Sequence, residues 1–362
     1  MRSARVAMVG AGWWAHTAHL PALAAHPSVS LVAVVDRDRA RAEQGAASFG
    51  VERTETDLTA LLQESAVDAV VVATPHTTHA ALAEQTLSSG VSALVEKPMT
   101  TDADDAWRLV DLARKNGLVL SVGVPYLHAP TAHRVVAAVR TQIGELVSVA
   151  GEFSSGAGSL FAVTDDGDSA HDPTVPHGTT YSDPSLSGGG QGHTQLSHLV
   201  TTMVATTGLQ AVEVSAFMSY RKLRVDLVDA LAFRLENGAL GTLGSTGTTP
   251  PGVPARQLLR YHGTAGMVEH DILRGTAVVH REGGDSTIIE PDPTRAVYQL
   301  QAPVDAFVRV LVEGCADPAP GAVGAASASL LDAAYRAATS GNREQVHQGA
   351  LHMMPEELAD AR

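Results

Sequence analysis

The stretch Arg5-Val-Ala-Met-Val-Gly10-Ala-Gly12-Trp-Trp-Ala15 decides the fold of this chain. Its first half is a short apolar run containing valines, which is typical of a buried parallel strand. Its second half, Gly10-x-Gly12-x-x-Ala15, predicts a tight turn into a helix, and Ala15 is small enough for that helix to lie close to the sheet. Gly12 lets backbone amides approach a pyrophosphate at the helix N-terminus. The pattern indicates a dinucleotide-binding turn.

A second strand and its final residue support the same interpretation. Residues 31–35 form another apolar run, and Asp36 follows about where the ribose-binding acid of a dinucleotide site is expected. Arg37 comes next, and an arginine there can hold the 2′-phosphate of NADP. Asp36 would repel that phosphate and prefers the free diol of NAD. The sequence therefore favours NAD as the cofactor and leaves NADP open.

Strands and helices alternate through the first third of the chain. Further apolar runs at 69–74, 92–96 and 118–122 are each separated by a stretch with helical periodicity. This alternation predicts a Rossmann-type, doubly wound parallel sheet. Ligands of such sheets bind at the carboxyl ends of the strands, which here carry Gly10, Asp36, Thr74, Lys97 and Gly123.

The pattern changes after Gly123. Residues 154–192 lack periodicity and are dense in Gly, Ser, Asp, Pro and His, which favours a lid over the cleft, with a floppy insertion as the alternative. Alternating strands follow from residue 211, with a hairpin turn at 236–239. We therefore expect an α/β fold with two domains: a dinucleotide-binding domain over residues 1–123, and an α/β domain with an open, mostly antiparallel sheet over residues 124–362.

Composition narrows the possible partners and surroundings. The 362 residues are 44% hydrophobic and 18% charged, as in ordinary globular proteins, and the net charge of −14 argues against nucleic acid as a partner. No apolar run reaches the ~18 residues that a membrane span requires. A predicted strand begins within the first residues, so we expect no signal peptide, and Cys315 is the only cysteine of the sequence. We expect a cytoplasmic protein without a metal site.

Lys97 is the first candidate for chemistry. It ends a buried-looking strand at the nucleotide edge of the sheet, between Glu96 and Pro98. A partly buried lysine has a lowered pKa and can pass protons near neutrality. A solvent-exposed loop lysine is the alternative, and the position at the nucleotide edge favours the catalytic interpretation.

The second candidate site is Gly188-Gly-Gly-Gln191-Gly-His193-Thr194-Gln195-Leu196-Ser197-His198. The glycines allow close approach to a ligand, and a helix is predicted over 191–207. Thr194, His198 and Thr201 fall on one side of this helix, which is either solvated or turned towards the nicotinamide. In the second case His198 acts as general acid or base with a pKa suited to neutral pH, and His193 contributes to substrate binding.

These motifs resemble the Gfo/Idh/MocA oxidoreductase family over essentially the whole chain. The resemblance rests on Gly10-Ala-Gly12, Asp36, Ala73-Thr74-Pro75 with His79, Glu96-Lys97-Pro98, and the glycine-rich segment leading to His198. It implies hydride transfer between a nicotinamide and a hydroxyl-bearing carbon of a sugar, cyclitol or glycoside. It also implies assembly into a homodimer or homotetramer through the open sheet.

The resemblance and the positions in the fold together give the expected site residues. The catalytic candidates are Lys97 and His198. The cofactor-binding candidates lie at strand ends or in the turns that follow: Gly10, Gly12, Trp13, Trp14, Asp36, Arg37, Thr74, Pro75, His79, Glu96 and Lys97. The substrate-binding candidates are Lys97, Tyr126, His128, Tyr181, His193, Thr194 and His198, although Tyr126 and His128 could equally pack a crossover.

One departure from the family pattern concerns the histidine. Many members have an aspartate four residues before it and another three after it, and this chain has Thr194 and Thr201 there. Lys97 is therefore the more secure proton-transfer group. Two alternatives to a dehydrogenase remain: a redox-neutral glycoside-cleaving enzyme with tightly held NAD, and a non-catalytic nucleotide sensor.

Overall fold

The computed structural model describes residues 3–165, 167, 172–173 and 175–351. Within them the chain forms two β-sheets, each covered by helices. The first sheet comes from the N-terminal third and the second from the remainder, as the change of pattern near Gly123 predicts. The expected fold class is confirmed.

The first sheet has six strands in the described residues, in the order β3-β2-β1-β4-β5-β6. The strands are β1 (Ala4–Val9), β2 (Val29–Val35), β3 (Thr54–Glu55), β4 (Ala69–Val72), β5 (Ser92–Glu96) and β6 (Leu120–Gly123). Every adjacent pair is parallel. The order reverses at β1, so a crevice opens between the carboxyl ends of β1 and β4, where ligands of such sheets bind.

Helices connect these strands and cover both faces of the sheet. They are α1 (Leu20–Ala25), α2 (Arg39–Phe49), α3 (Thr59–Gln63), α4 (His79–Ser88) and α5 (Ala103–Asn116). Asp38 caps α2 and Asp102 caps α5, each by accepting a backbone N–H of the first turn. The turn before α1 is a π-helix over Ala15–His19 rather than the regular helix that the sequence predicts.

The second sheet has nine strands in the described residues, in the order β14-β13-β12-β11-β7-β10-β9-β8-β15. They are β7 (Leu146–Ser154), β8 (Ala211–Ser219), β9 (Val228–Leu235), β10 (Leu240–Thr246), β11 (Arg256–Gly263), β12 (Gly266–Asp271), β13 (Thr276–Arg281), β14 (Ser286–Ile289) and β15 (Glu344–Gln345). The β7–β10 pair is parallel and the other pairs are antiparallel. The predicted hairpin joins β9 to β10, with Gly238 at φ 89°.

One face of this sheet is covered by helices. They are α6 (Pro130–Thr141), α10 (Ser197–Thr207) and α12 (Gly321–Ser340). Inward-facing residues such as Val214, Leu231, Leu243, Leu259 and Val268 are buried, and the alternate residues on β8 and β9 are exposed. The alternation of burial therefore leaves the other face of the sheet open.

The segment that lacks periodicity contains short helices where the structure describes it. They are α7 (Gly158–Phe161), α8 (Gly178–Ser182) and α9 (Pro184–Ser187), and a π-helix over Gly192–Leu196 leads into α10. The ring of Tyr181 lies against His76, and the carbonyl of Ser187 accepts a hydrogen bond at 3.0 Å from the His76 ring. This part of the chain thus packs onto the edge of the first sheet.

The C-terminal part returns to the first sheet. Helix α11 (Ala302–Glu313) buries Val304, Phe307 and Val308 in the same cluster as Val6 and Met8 of β1. The C-terminal part therefore contributes to the core beneath the first sheet. In the described residues no helix is long and apolar enough to cross a membrane.

Candidate active site

A cleft of about 770 Å³ opens where the carboxyl ends of β1, β2, β4 and β5 face the segment before α10. All eleven residues that the sequence predicts for the cofactor line it: Gly10, Gly12, Trp13, Trp14, Asp36, Arg37, Thr74, Pro75, His79, Glu96 and Lys97. Besides Lys97, three of the residues expected at the substrate also line it, namely Tyr181, Thr194 and His198. The crevice of the sheet and the second domain thus form one continuous cavity.

The turn after β1 has the shape that a dinucleotide needs. Gly10 adopts φ +94°, and a Cβ there would overlap the carbonyl of Ala73 on the neighbouring strand. A Cβ on Gly12 would meet no atom within 4 Å, so this backbone faces the open cleft. These two glycines provide the tight turn and the free approach that a pyrophosphate requires, and the residues present fit the cofactor.

Asp36 holds this turn against the end of β2. Its Oδ2 accepts the backbone N–H of Ala11 at 2.8 Å, and its Oδ1 accepts that of Asp38 at 2.9 Å. Each carboxylate oxygen has a second lone-pair direction, so these bonds leave acceptor capacity at the cleft. Arg37 and Arg41 line the cleft beside it. This end of the cleft therefore carries the carboxylate of Asp36, which favours the free diol of NAD, and two arginines, which attract the 2′-phosphate of NADP.

Glu96 organises the middle of the cleft. It is buried, and its Oε1 accepts hydrogen bonds from the Trp14 indole at 2.7 Å and the His19 ring at 2.9 Å. Its Oε2 accepts the backbone N–H of Lys97 at 3.1 Å. Burial by itself raises the pKa of Glu96, but the bonds from His19 and Trp14 and the charge of Lys97 outweigh it and lower that pKa. Glu96 therefore stays ionised and fixes the turn that carries Lys97.

Lys97 points from the end of β5 towards the second domain. Its ammonium donates a hydrogen bond to the backbone carbonyl of Thr194 at 2.9 Å. Burial lowers the pKa of Lys97, and the charge of Glu96 partly opposes this. The direction of the pKa shift that the sequence predicts is thus confirmed. A lower pKa raises the fraction of neutral amine near neutral pH, so Lys97 can exchange protons there more readily.

His198 lies beside Lys97 and is only 6% exposed. Burial, with a contribution from the charge of Lys97, lowers the pKa of His198 well below its ordinary value. Its ring packs edge-on against Tyr126 at 5.4 Å between centroids, and its Nδ1 has no hydrogen-bond partner among the described residues. The sequence predicted that His198 has a pKa suited to proton transfer at neutral pH. Burial lowers the pKa of the ring instead, so the imidazole is uncharged at neutral pH.

The polar side of the predicted helix is buried and not solvated. The hydroxyl of Thr201 lies within hydrogen-bonding distance of the Ser197 carbonyl, at 2.7 Å, and of Ser327 Oγ, at 2.9 Å. The Thr194 hydroxyl is buried and has no hydrogen-bond partner in the part of the chain that the structure describes. The two threonines at the usual aspartate positions therefore give His198 no carboxylate partner there.

His79 joins the two motif turns of the first sheet. Its ring nitrogens lie 2.8 Å from the carbonyl oxygen of Thr74 and 2.9 Å from that of Pro98. The ring is fully buried, so it braces the Thr74-Pro75 turn against the Lys97-Pro98 turn. The imidazole therefore supports the wall of the cleft.

Three residues expected at the substrate do not line the cleft. Tyr126 lies behind His198, and His193 packs against Tyr335 at 4.5 Å between ring centroids. Burial, with the charge of His133, lowers the pKa of His128 to about 4. Tyr181, by contrast, lines the cleft, and burial together with the charge of Glu96 raises its pKa to about 12.

Sequence reasoning missed Tyr298. Its ring lies 4.8 Å from that of Tyr126 and 6.3 Å from that of Trp14, and it completes an aromatic wall of the cleft. The residue belongs to an irregular stretch before α11, where no periodicity or motif marks it. In the parts of the chain that the structure describes, no group of three or more His, Cys, Asp or Glu side chains is arranged to hold a metal ion.

The comparisons with known proteins agree with this architecture. A family model described as an oxidoreductase family with an NAD-binding Rossmann fold matches residues 4–124, and one described as the GFO/IDH/MocA C-terminal domain matches residues 132–269. The chain belongs to the Gfo/Idh/MocA oxidoreductase family, which confirms the resemblance seen in the sequence. Its N-terminal domain is the family's NAD-binding Rossmann domain.

Curated relatives match part of the chain. A dTDP-3,4-didehydro-2,6-dideoxy-alpha-D-glucose 3-reductase of Actinomadura kijaniata is 39% identical over 152 residues, which are 41% of this chain and 45% of the relative. Inositol 2-dehydrogenase 4 of Saccharopolyspora erythraea is 39% identical over 110 residues, 30% of this chain and 32% of the relative. The matched segments thus span less than half the length of these relatives.

Solved structures match nearly the whole chain. GenD2 from gentamicin A biosynthesis, solved in complex with NAD, has a TM-score of 0.76 and 25% identity over 96% of this chain and 97% of its own. An oxidoreductase domain protein from Kribbella flavida has a TM-score of 0.83 and 20% identity over 96% of this chain and 100% of its own. The second likeness is one of fold.

Proposed function

We propose that the protein is an NAD(P)-dependent oxidoreductase that transfers a hydride between the nicotinamide and a hydroxyl-bearing carbon of a sugar, cyclitol or glycoside. The observation that carries this proposal is the position of Lys97. Its partly buried ammonium lies in the same cleft as the dinucleotide turn and His198. A proton-transfer group beside a nicotinamide site is what oxidation of an alcohol requires.

The cofactor is held by the residues that line the cleft at the strand ends. The turn at Gly10 and Gly12 receives the pyrophosphate, and Asp36 receives the ribose of the adenosine half. The nicotinamide, when bound, supplies the hydride acceptor or donor. Asp36 favours NAD because its carboxylate repels a 2′-phosphate, while Arg37 and Arg41 leave NADP as the weaker cofactor.

Lys97 moves the hydroxyl proton. As a neutral amine its Nζ accepts the proton of the substrate hydroxyl when the carbon is oxidised, and as an ammonium it returns the proton when a carbonyl is reduced. The Thr194 carbonyl accepts a hydrogen bond from this nitrogen at 2.9 Å and keeps it oriented. Burial lowers the pKa of Lys97, which raises the fraction of neutral amine at neutral pH.

His198 orients the substrate by hydrogen bonding. Because burial lowers its pKa well below the ordinary value, the imidazole is neutral and offers one donor and one acceptor nitrogen. The contact with Tyr126 fixes the plane of the ring. His198 therefore positions the reacting hydroxyl, and Lys97 carries the proton.

The substrate class follows from the relatives and the wall of the cleft. The matched curated proteins are named as a reductase of a dideoxy sugar nucleotide and a dehydrogenase of inositol. The aromatic rings of Trp14, Tyr181 and Tyr298 line the same cavity and offer flat apolar surfaces to the C–H face of a ring-shaped polyol. These features support a sugar or cyclitol.

The protein works as an assembly of identical copies in a reducing, cytoplasmic setting. The uncovered face of the second sheet carries Phe217, which is 82% exposed, and Leu240, which is 55% exposed. Exposed apolar surface of this kind is typical of an interface, and a homodimer or homotetramer would cover it.

The test is a spectrophotometric screen. Purified protein is mixed with NAD or NADP and a panel of sugars, cyclitols and glycosides, while reduced nicotinamide and released free sugar are both recorded. We expect reduced nicotinamide to form with one substrate class, faster with NAD. Free sugar that appears without reduced nicotinamide, or NAD binding without turnover of any panel member, would contradict the proposal.

A further inference from the structure

A buried carboxylate lies beneath the glycine-rich segment that precedes α10. Asp226 is 0% exposed, and its two oxygens accept the backbone N–H groups of Gly190 and Gly192, each at 2.7 Å. Its own backbone carbonyl accepts the N–H of Gln191 at 2.9 Å. Asp226 thus bonds three successive amides of the segment.

Tyr335 of α12 completes this arrangement. Its hydroxyl donates to Asp226 Oδ1 at 2.7 Å and accepts the N–H of His193 at 3.3 Å. The fit explains the glycines, because a Cβ on Gly189 would overlap the Tyr335 hydroxyl and a Cβ on Gly190 would overlap the Asp226 carbonyl. The segment from 189 to 193 is therefore fixed from one side by two side chains.

The fixed segment leads directly to Lys97. The N–H of Thr194 donates to the carbonyl of Gly190 at 2.9 Å, and the carbonyl of Thr194 accepts from Lys97 Nζ at 2.9 Å. The position of the Thr194 carbonyl therefore depends on where Asp226 holds Gly190. Neither Asp226 nor Tyr335 lines the cleft, so both act through the backbone.

We infer that Asp226 and Tyr335 form a clamp that positions the Thr194 carbonyl and so orients the Lys97 side chain. This inference rests on the proposed function for the importance of Lys97, but the hydrogen-bond chain itself does not depend on any substrate. A carboxylate suits this role because its two oxygens accept from three donors, the N–H groups of Gly190 and Gly192 and the Tyr335 hydroxyl. An asparagine would turn an NH₂ group towards one of them.

Lysine NMR tests the clamp without a substrate. The chain has three lysines, Lys97, Lys115 and Lys222, and the last two are exposed. Protein labelled with ¹³C at the lysine ε-carbon therefore gives one partly buried and two exposed resonances, and each can be titrated with pH.

The variants are Asp226→Asn and Tyr335→Phe, and the second changes no charge. Asp332→Asn on the same helix is the matched control.

The clamp gives a definite expectation for these spectra. Loss of the Thr194 carbonyl as acceptor disfavours the charged amine, so the Lys97 midpoint should fall by about half a pH unit or more in both clamp variants. The midpoints of Lys115 and Lys222 should not move, and the control should match the wild type. Affinity for NAD, followed by tryptophan fluorescence, should stay within about twofold because the dinucleotide turn is untouched.

Turnover adds a second readout once the screen supplies a substrate. We expect kcat to fall by about tenfold in each clamp variant with KM nearly unchanged, because a misdirected amine slows the chemical step. A Lys97 midpoint that is unchanged or higher in Tyr335→Phe, with NAD binding intact, would overturn the clamp. If wild-type Lys97 instead had the same titration midpoint as the exposed Lys115, its pKa would not be lowered, and this would count against the proposed function. The two failures are therefore distinguishable.

Discussion

Lys97 is the residue on which the proposed chemistry depends most. We expect Lys97→Met to lower kcat by about a hundredfold or more, because methionine keeps the bulk of the side chain but cannot take up or release a proton. The dissociation constant for NAD should change little, since the turn at Gly10 and Gly12 remains. Steady-state rates and a fluorescence titration measure the two quantities.

The matched control is Lys115→Met, which removes an exposed amine in the last turn of α5. It should retain the wild-type rate. If Lys97→Met also retained that rate, the proton would have to pass through His198, and the assignment of roles within the cleft would be wrong.

Asp36 governs the choice of cofactor at the other end of the cleft. Asp36→Ala should weaken NAD by roughly tenfold, because a charged hydrogen-bond acceptor for the ribose diol is lost. NADP should weaken less, since the same change removes a repulsion on the 2′-phosphate. Titration with both nucleotides measures this, and Glu52→Ala, which removes an exposed acid outside the cleft, is the control. Equal weakening of both nucleotides would contradict the role of Asp36.

From the sequence, the position of a residue could be predicted where a motif fixes the local backbone. Gly10, Asp36 and Lys97 line one cleft because each directly follows a parallel strand, and the carboxyl ends of parallel strands meet at one edge of the sheet. Tyr298 could not be found in this way, because it lies in an irregular stretch and reaches the cleft through tertiary packing alone. The low pKa of His198 was also missed, because burial on every side is not visible in a helical pattern.

At the scale of elements, the cleft is bordered by two π-helical turns, over Ala15–His19 and Gly192–Leu196. A π-turn shifts the direction of the side chains that follow it and is frequent at functional sites. One precedes α1 beside Trp14, and the other precedes α10 and His198. Helical periodicity predicts both helices but not these turns.

Strand β9 carries a buried acid with a consequence for stability. Asp229 is 2% exposed, and burial together with the negative charge of Asp226 raises its pKa to about 9 from an ordinary 3.8. Between these two values the unfolded chain releases a proton that the folded chain keeps. Folding therefore loses stability as pH rises through this window.

We expect Asp229→Asn to remove this dependence. The variant should melt close to the wild type near pH 4 and several degrees higher near pH 9, because asparagine has no proton to lose. Melting temperatures measured by calorimetry across the window test this. Asp285→Asn, in an exposed hairpin, should follow the wild type throughout. Parallel curves for Asp229→Asn and the wild type would show that Asp229 is already ionised in the folded protein.

At the scale of the whole molecule, the C-terminal part of the chain packs against the first sheet. The change from parallel to antiparallel patterning marks Gly123, but α11 packs Val304 and Phe307 against β1 of the first sheet. These residues are about 300 positions apart in the sequence, and helical or strand periodicity does not predict a contact over such a distance. The fold class was therefore readable from the sequence, while the way the C-terminal part covers the first sheet was not.

The open face of the second sheet gives a prediction about assembly. Phe217→Asp should convert a dimer or tetramer into a smaller species, because a charge would be buried on the face that the copies share. Light scattering coupled to gel filtration measures the mass. Val253→Asp, which places the same charge at a position 55% exposed in a turn, should leave the mass unchanged. A monomeric wild type, or an unchanged mass for Phe217→Asp, would contradict this interface.

The central claim is that hydride passes between nicotinamide and a sugar or cyclitol carbon in this cleft. The most direct measurement uses NADH deuterated at C4 and a panel of keto-sugars and keto-cyclitols, with mass spectrometry of the products. We expect one deuterium on the carbon of the new hydroxyl with the wild type, and about a hundredfold slower incorporation with Lys97→Met. Product that forms without deuterium from either face of the labelled cofactor, or no product from any member of the panel, would contradict the claim.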